Sequence, residues 1–536
     1  MLCNAKEALK SLRRTSHVCF AVAGLGLLPA LVRAEVRLPH VLSDHMVLQR
    51  DAPIHIWGWA QPGEAVSVSL QHAGSAGKGA LRANATADRL GQWSVYLPAQ
   101  PAGGPFDLAV QGSSTVTLHD VMLGDLWIAS GQSNMEMPLA GFGPTTPLKD
   151  GEKEIAAATH PELRLMVVPK TGSAFPQDDV NAAWTECTPE TAKNFSAVAY
   201  FFGREIAARE HVTIGLVDTT WGGTPAEAWT SFDAFGKNPA LAPVWTQWGH
   251  FVTDQTTEAL VLAANKREDE QRVAAGQQPV SHGFHPNPDS YRPASLYNGM
   301  IAPFTPLSIR GVIWYQGETN SRLDRSIVYH QLFRSMILDW RDHFAQGAFP
   351  FLYAQISSFR STPQEAWGVL RDAQRRTLDV ANTAMAVTLD VGTPDNVHPP
   401  DKQTVGHRLA LAARSLAYGE RVAYSGPLFA RADVEGNAMR VGFEDRLAKV
   451  QCTGGACTGF EIAGADHKFV PAEAVAEGAT VIVRSSAVAD PRYVRYAWPN
   501  APTANLQDSN GLPASTFTSE QEITDPGPRS TALTHD

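Results

Sequence analysis

The residue types that acyl transfer needs fall at the ends of apolar runs far apart in the chain. Ser133 follows the run Leu126-Trp-Ile-Ala129 and the turn Ser130-Gly131. A serine hydroxyl is a poor nucleophile until a base accepts its proton. His398 is the candidate base, because imidazole titrates near neutral pH. Asp395, three residues earlier on the same loop, is the candidate acid to fix its tautomer and stabilise the imidazolium. The tetrahedral intermediate would carry an oxyanion and needs donors aimed at it. The N–H groups of Ser133 and of Gly222 or Gly223 are candidates, with the side-chain amide of Gln316 or Asn320 as a third. Gln132, Asn134, Trp221 and Glu318 crowd the same segments and are expected to meet substrate. Plainer readings stand beside these. Ser133 and Asn134 could cap a helix, Gly222-Gly223 could be only a turn, His398 could start the next helix, and Glu318 could buttress its loop. Asp390 is a rival acid, expected instead to be a structural carboxylate at a strand end.

Five strand-like runs must position these groups, at 126–129, 212–217, 310–315, 349–356 and 383–389. Helical patterns at 196–209, 326–344, 363–380 and 402–416 alternate with them. Such alternation predicts a parallel sheet covered on both faces. In open α/β sheets, ligands bind at the carboxyl ends of the strands. The first run ends at Ser133, the second at Gly222-Gly223, the third at Gln316, Glu318 and Asn320, and the last at Asp395 and His398. Four polar clusters on one sheet edge point to an active site. Trp127, Trp221, Trp314 and Tyr315 lie beside them, as core or as an apolar or sugar-stacking wall.

The rest of the chain frames this unit. Residues 35–120 read as an N-terminal β-sandwich of short alternating strands. The catalytic unit spans 121–418, with a polar, irregular insertion at 235–293 expected to rim the site. Residues 419–522 form a second β region and 523–536 a tail. Residues 1–34 read as a signal peptide, with a basic start, an uncharged largely apolar run and a cleavage site after Ala34. The protein is therefore expected to be secreted or periplasmic. Removal of the signal would take the net charge from −10 to about −14. That balance leaves no basic excess for nucleic acid, and no later run is long and apolar enough for a membrane. Cys452 and Cys457 bracket a flexible link that could close a small disulfide loop, which leaves Cys187 as a semi-buried thiol. Neither Cys-x-x-Cys nor His-Glu-x-x-His occurs, so neither a metal nor another cofactor is expected.

Gly131-Gln-Ser-Asn-Met-Glu136, Trp221-Gly-Gly-Thr-Pro225, Trp314-Tyr-Gln-Gly-Glu-Thr-Asn320 and Asp395-Asn-Val-His-Pro399 resemble motifs of the sialate O-acetylesterase family. That family belongs to the SGNH (GDSL-like) hydrolase superfamily. The similarity extends to Leu48-Gln49-Arg50, Val494-Arg-Tyr-Ala-Trp498 and Gly511-Leu-Pro-Ala514. The resemblance implies a flavodoxin-like, five-stranded parallel sheet with helices on both faces, flanked by β-sandwich regions. It also implies metal-independent removal of O-acetyl groups from sugars, with Ser133 as nucleophile and His398 as base. Asp395 fits the superfamily's Asp-x-x-His pattern. No Gly-x-Ser-x-Gly elbow is present, which argues against an ordinary α/β-hydrolase. The expected partner is an acetylated sugar or oligosaccharide, sialic acid or a plant cell-wall glycan. The reading from another class is a non-catalytic glycan-binding protein.

Overall fold

The computed structural model describes residues 35–523, apart from 76–78, 281, 283–284, 363 and 445–448. The expected signal peptide, and the expected tail beyond 523, lie outside the described residues.

One strand of 17 residues, Thr115–Gly131, is the spine of the molecule. Its first half alternates polar with apolar and pairs antiparallel with Gly103–Gln111 in the N-terminal β region. Its second half is continuously buried, as a strand covered on both faces is. There it lies between Ile214–Thr220 and Gly311–Tyr315, parallel to both. A single strand thus carries the chain from the first β region into the central sheet. Leu48-Gln49-Arg50 locks the join: Arg50 donates twice to the buried Asp125, at 2.9 Å each, and Gln49 donates to it at 3.0 Å.

The five expected strands are all present, but the sheet is larger and mixed. Its order is Thr383–Ala386, Phe351–Ala354, Gly311–Tyr315, Thr115–Gly131, Ile214–Thr220, His160–Val167 and Trp184–Cys187. The first six run parallel and the last closes the edge antiparallel. His160–Val167 escapes a reading by pattern because Arg164 interrupts it. That side chain is buried and donates to Asp120 at 3.0 Å and the Pro161 carbonyl at 2.5 Å.

Trp314 lies opposite Ser130 in the register, so Trp127, three residues earlier on the spine, points to the other face. Trp127 meets Phe202 of the helix Ala197–Glu210 edge to face at 5.0 Å. That helix packs closely on Lys402–Leu416, where a Cβ at Gly406 would stand 2.7 Å from Phe201. Trp314 meets Trp340 of the helix Leu323–Phe344 at 5.9 Å. The two tryptophans therefore anchor helices on opposite faces. Trp127, Trp314 and Tyr315 are fully buried, which makes them core rather than a sugar-stacking wall.

The segment 235–293, expected from its polarity to be irregular, is largely helical where it is described. It contains the 33-residue helix Ala242–Ala274. Leu260, Val252 and Leu262 of this helix are exposed, so its apolar residues do not gather into the one stripe by which an amphipathic helix is recognised. The C-terminal β region forms two four-stranded sheets and a short pair. It is docked by the fully buried Arg371, which donates to the carbonyls of Ala497, Pro499 and Asn500 and to the Thr516 hydroxyl. Burial pushes this guanidinium down to about 9. Cys452 and Cys457 are joined in a disulfide. Cys187 is free and buried, its thiol pushed up to about 12 by burial. Among the described residues no helix is long and apolar enough to cross a membrane.

Candidate active site

The spine strand ends at Gly131, at φ +136°. A Cβ there would lie 2.2 Å from the Tyr315 carbonyl oxygen, so only glycine lets the neighbouring strand come this close. The chain then turns into the single helical turn Ser133–Glu136, and the Gln132 carbonyl accepts the N–H groups of Met135 and Glu136. The turn is held from behind. The Ser196 hydroxyl donates to the Met135 carbonyl at 2.6 Å, and the buried Asp218 accepts from the Ser196 N–H at 3.2 Å and the Thr220 hydroxyl at 2.6 Å. Burial pushes the Asp218 carboxyl up to about 7.

Ser133 Oγ lies 2.9 Å from His398 Nε2, across 265 positions of sequence. The histidine stands on the loop after the last parallel strand, its N–H bonded to Asn396 Oδ1 at 2.9 Å and its ring edge-on to Phe142 at 5.1 Å. Burial first, then the Lys402 cation, push the imidazole down to about 4. At neutral pH it is therefore uncharged and able to accept a proton.

Asp395 is placed elsewhere than expected. Its carboxylate is 78% exposed and pairs with Arg360 at 2.5 Å. Among the described residues no carboxylate is hydrogen-bonded to the His398 ring. The loop folds back on itself, with the Asn396 N–H bonded to the Thr393 carbonyl, and leaves Asp395 on the outside. Asp390 pairs with Arg408 through both oxygens, at 2.7 and 2.6 Å, as a strand-end structural carboxylate.

The expected oxyanion donors divide. The Ser133 and Gly223 N–H groups have no partner among the described residues, and Gly223 takes φ +73°. Gly222 packs against Ser133, but its N–H donates to Glu136, whose other oxygen accepts from Lys170 at 2.6 Å. Gln316 and Asn320 are both buried and both committed. Gln316 Nε2 donates to Asn320 Oδ1 at 2.6 Å and the Thr224 carbonyl at 3.2 Å, and Asn320 Nδ2 donates to Glu227 at 2.8 Å. These amides fix the turn after Gly223 and present no free donor to a substrate.

The expected substrate contacts divide as well. Trp221 is partly exposed. Gln132 Oε1 accepts from the Gly317 and Thr319 N–H groups at 3.3 and 3.2 Å, and its Nε2 has no partner among the described residues. Asn134 is fully buried, and Glu318 is buried beneath it, accepting from Asn134 Nδ2 at 2.5 Å. Sequence reasoning passed over two site residues, Glu136 and Lys402. The signal for Lys402 was available. It is the first residue of Lys402–Leu416, and a cation at a helix N-terminus opposes the macrodipole. Among the described residues, His45, Asp120 and Glu186 bring ligand-type atoms within 4.8 Å of one another, and none of them belongs to this site.

A hydroxyl on a strand-end turn, an uncharged imidazole within hydrogen-bond reach and unengaged N–H donors beside them define a hydrolase of the serine-esterase class. A family model described as carbohydrate esterase, sialic acid-specific acetylesterase, matches residues 263–415. Sialate O-acetylesterase of Homo sapiens is 32% identical over 429 residues, spanning 73% of this chain and 73% of that protein. Sialate O-acetylesterase of Rattus norvegicus is 28% identical over 566 residues, spanning 92% of this chain and 97% of that protein. Among solved structures, a carbohydrate acetylesterase from Xanthomonas citri superposes with a TM-score of 0.76 at 39% identity, covering 91% of this chain and 100% of that one. The chain belongs to the sialate O-acetylesterase family. It is a carbohydrate O-acetylesterase, a hydrolase of the serine type.

Proposed function

We propose that Ser133 and His398 release acetate from acetylated sugars through an acetyl-enzyme. The observation that carries this reading is the 2.9 Å approach of Ser133 Oγ to His398 Nε2. Nε2 takes the hydroxyl proton as Oγ attacks the acetyl carbonyl. The N–H groups of Ser133 and Gly223 hold the oxyanion. The sugar oxygen leaves with the proton from His398. Water then attacks the acetyl-enzyme by the same route, giving acetate and the free serine. Gln132 Nε2 and Trp221 face the sugar. Asp395 stays outside the proton path and holds the loop through Arg360. In this reading the sheet is of the SGNH hydrolase type, with the nucleophile after its first parallel strand and the base after its last. The disulfide supports export to an oxidising compartment, secreted or periplasmic.

The names of the relatives favour O-acetylated sialic acid as substrate. One observation favours a neutral plant cell-wall glycan instead. A sialate carboxylate calls for a cation, yet Lys170 is paired with Glu136 and Arg360 with Asp395. Acetate release from O-acetylated sialosides, set beside acetylated xylan and xyloglucan oligosaccharides, separates the two. The first reading expects the higher kcat/KM on sialosides, and a reversed order selects the neutral glycan. No release from any of them removes both.

A further inference from the structure

Beneath Ser133 lies a group of buried polar side chains that the esterase chemistry does not use. Asn134 is fully buried, and its carboxamide ties three loops together. Nδ2 donates to Glu318 Oε1 at 2.5 Å and to the carbonyl of Val397, next to His398, at 3.0 Å. Oδ1 accepts from Lys402 Nζ at 2.5 Å. Lys402 is 1% exposed, and its ammonium stands 5.4 Å from the centre of the Tyr315 ring. Glu318 Oε2 is buried, with no hydrogen-bond partner among the described residues.

We propose that Lys402 and Glu318, bridged by the Asn134 carboxamide, form a buried clamp that holds Ser133 and His398 in register, with Lys402 as a positioning residue of the esterase reaction. This rests on the Ser133–His398 reading. A lysine sealed in a core normally marks a fault, because burying a charge without compensation costs several kcal/mol, about the scale of a whole domain's margin. Here the geometry supplies the compensation. Glu318 provides the counter-charge, Asn134 links the two groups, and the Tyr315 ring lies close to the ammonium. Burial pushes the Lys402 amine down to about 7 and the Glu318 carboxyl up, so the pair is neutral overall whether both groups are charged or neither is.

The clamp also sets the electrostatics of the base. The charged groups on the surrounding elements are matched: Asp390 with Arg408, Asp395 with Arg360, Asp401 with Lys149 and Glu136 with Lys170. Glu318 faces Lys402, and Lys402 adds to burial in lowering the imidazole's affinity for a proton. Removal of Lys402 therefore makes His398 easier to protonate.

The test is kcat, KM and the pH profile of Lys402→Met and of the double variant Glu318→Gln/Lys402→Met, on a chromogenic acetate ester. The single variant is expected to lose kcat about tenfold or more with little change in KM. Its acid limb of kcat/KM is expected to move to higher pH. Removing both partners leaves no unpaired charge, so the double variant is expected to melt above the single one and to keep the displaced acid limb. Should Lys402→Met fail to fold, the double variant carries the same pH measurement. Wild-type kcat with an unmoved acid limb in a folded variant overturns the clamp. An active Ser133→Ala enzyme instead overturns the reading beneath it, so the two failures are distinct.

Discussion

Ser133→Ala is expected to lower kcat/KM on a chromogenic acetate ester by about four orders of magnitude. The loss should fall on kcat, because the hydroxyl forms a bond to substrate only during the reaction. The fold should survive: Ser133 Oγ bonds only to His398 Nε2, and the turn is held by the Gln132 carbonyl, Ser196 and Asn134 instead. Circular dichroism and the unfolding midpoint should match the wild type. A variant that folds and keeps near-wild-type turnover contradicts the mechanism.

His398→Ala is expected to cost about a thousandfold or more in kcat/KM, since among the described residues no other base is bonded to the serine hydroxyl. The imidazole acts only when uncharged, and it is held down to about 4. Raising the pH through that value removes its proton, so kcat/KM should rise across that range and stay level to neutrality. The limb should vanish with the histidine. Asp395→Asn should cost only a few-fold, because its exposed carboxylate meets Arg360 and solvent rather than the ring. A loss as large as that of His398→Ala would return Asp395 to the proton relay.

Much of this architecture could be read before folding. The strands at 126–129, 212–217, 310–315, 349–356 and 383–389, and the helices between them, follow from local periodicity, which burial on both sheet faces writes directly into the chain; that the first of them continues back to Thr115 as one strand does not. Ser133 and His398 were legible for the same reason, since each stands where an apolar run gives way to a turn. What escaped depends on partners distant in sequence. The strand His160–Val167 tolerates Arg164 only because Asp120 stands beside it. The helix Ala242–Ala274 keeps part of its apolar surface in solvent, so no stripe marks it. Gln316 and Asn320 have the right chemistry for an oxyanion hole, but the Gln316 amide N–H groups are spent on Thr224 and Asn320, and that of Asn320 donates to Glu227. Asp395 has the right spacing, but the turn at Thr393 directs it outward. Spacing fixes which residues can meet, and the fold decides which groups remain free once they do.

Reaction with a serine-directed phosphonate, followed by peptide mass mapping, decides whether Ser133 is the nucleophile and His398 its base. One adduct is expected, on Ser133, forming at a rate that collapses in His398→Ala. An adduct on another residue, or labelling of Ser133 that is equally fast without His398, would contradict that assignment.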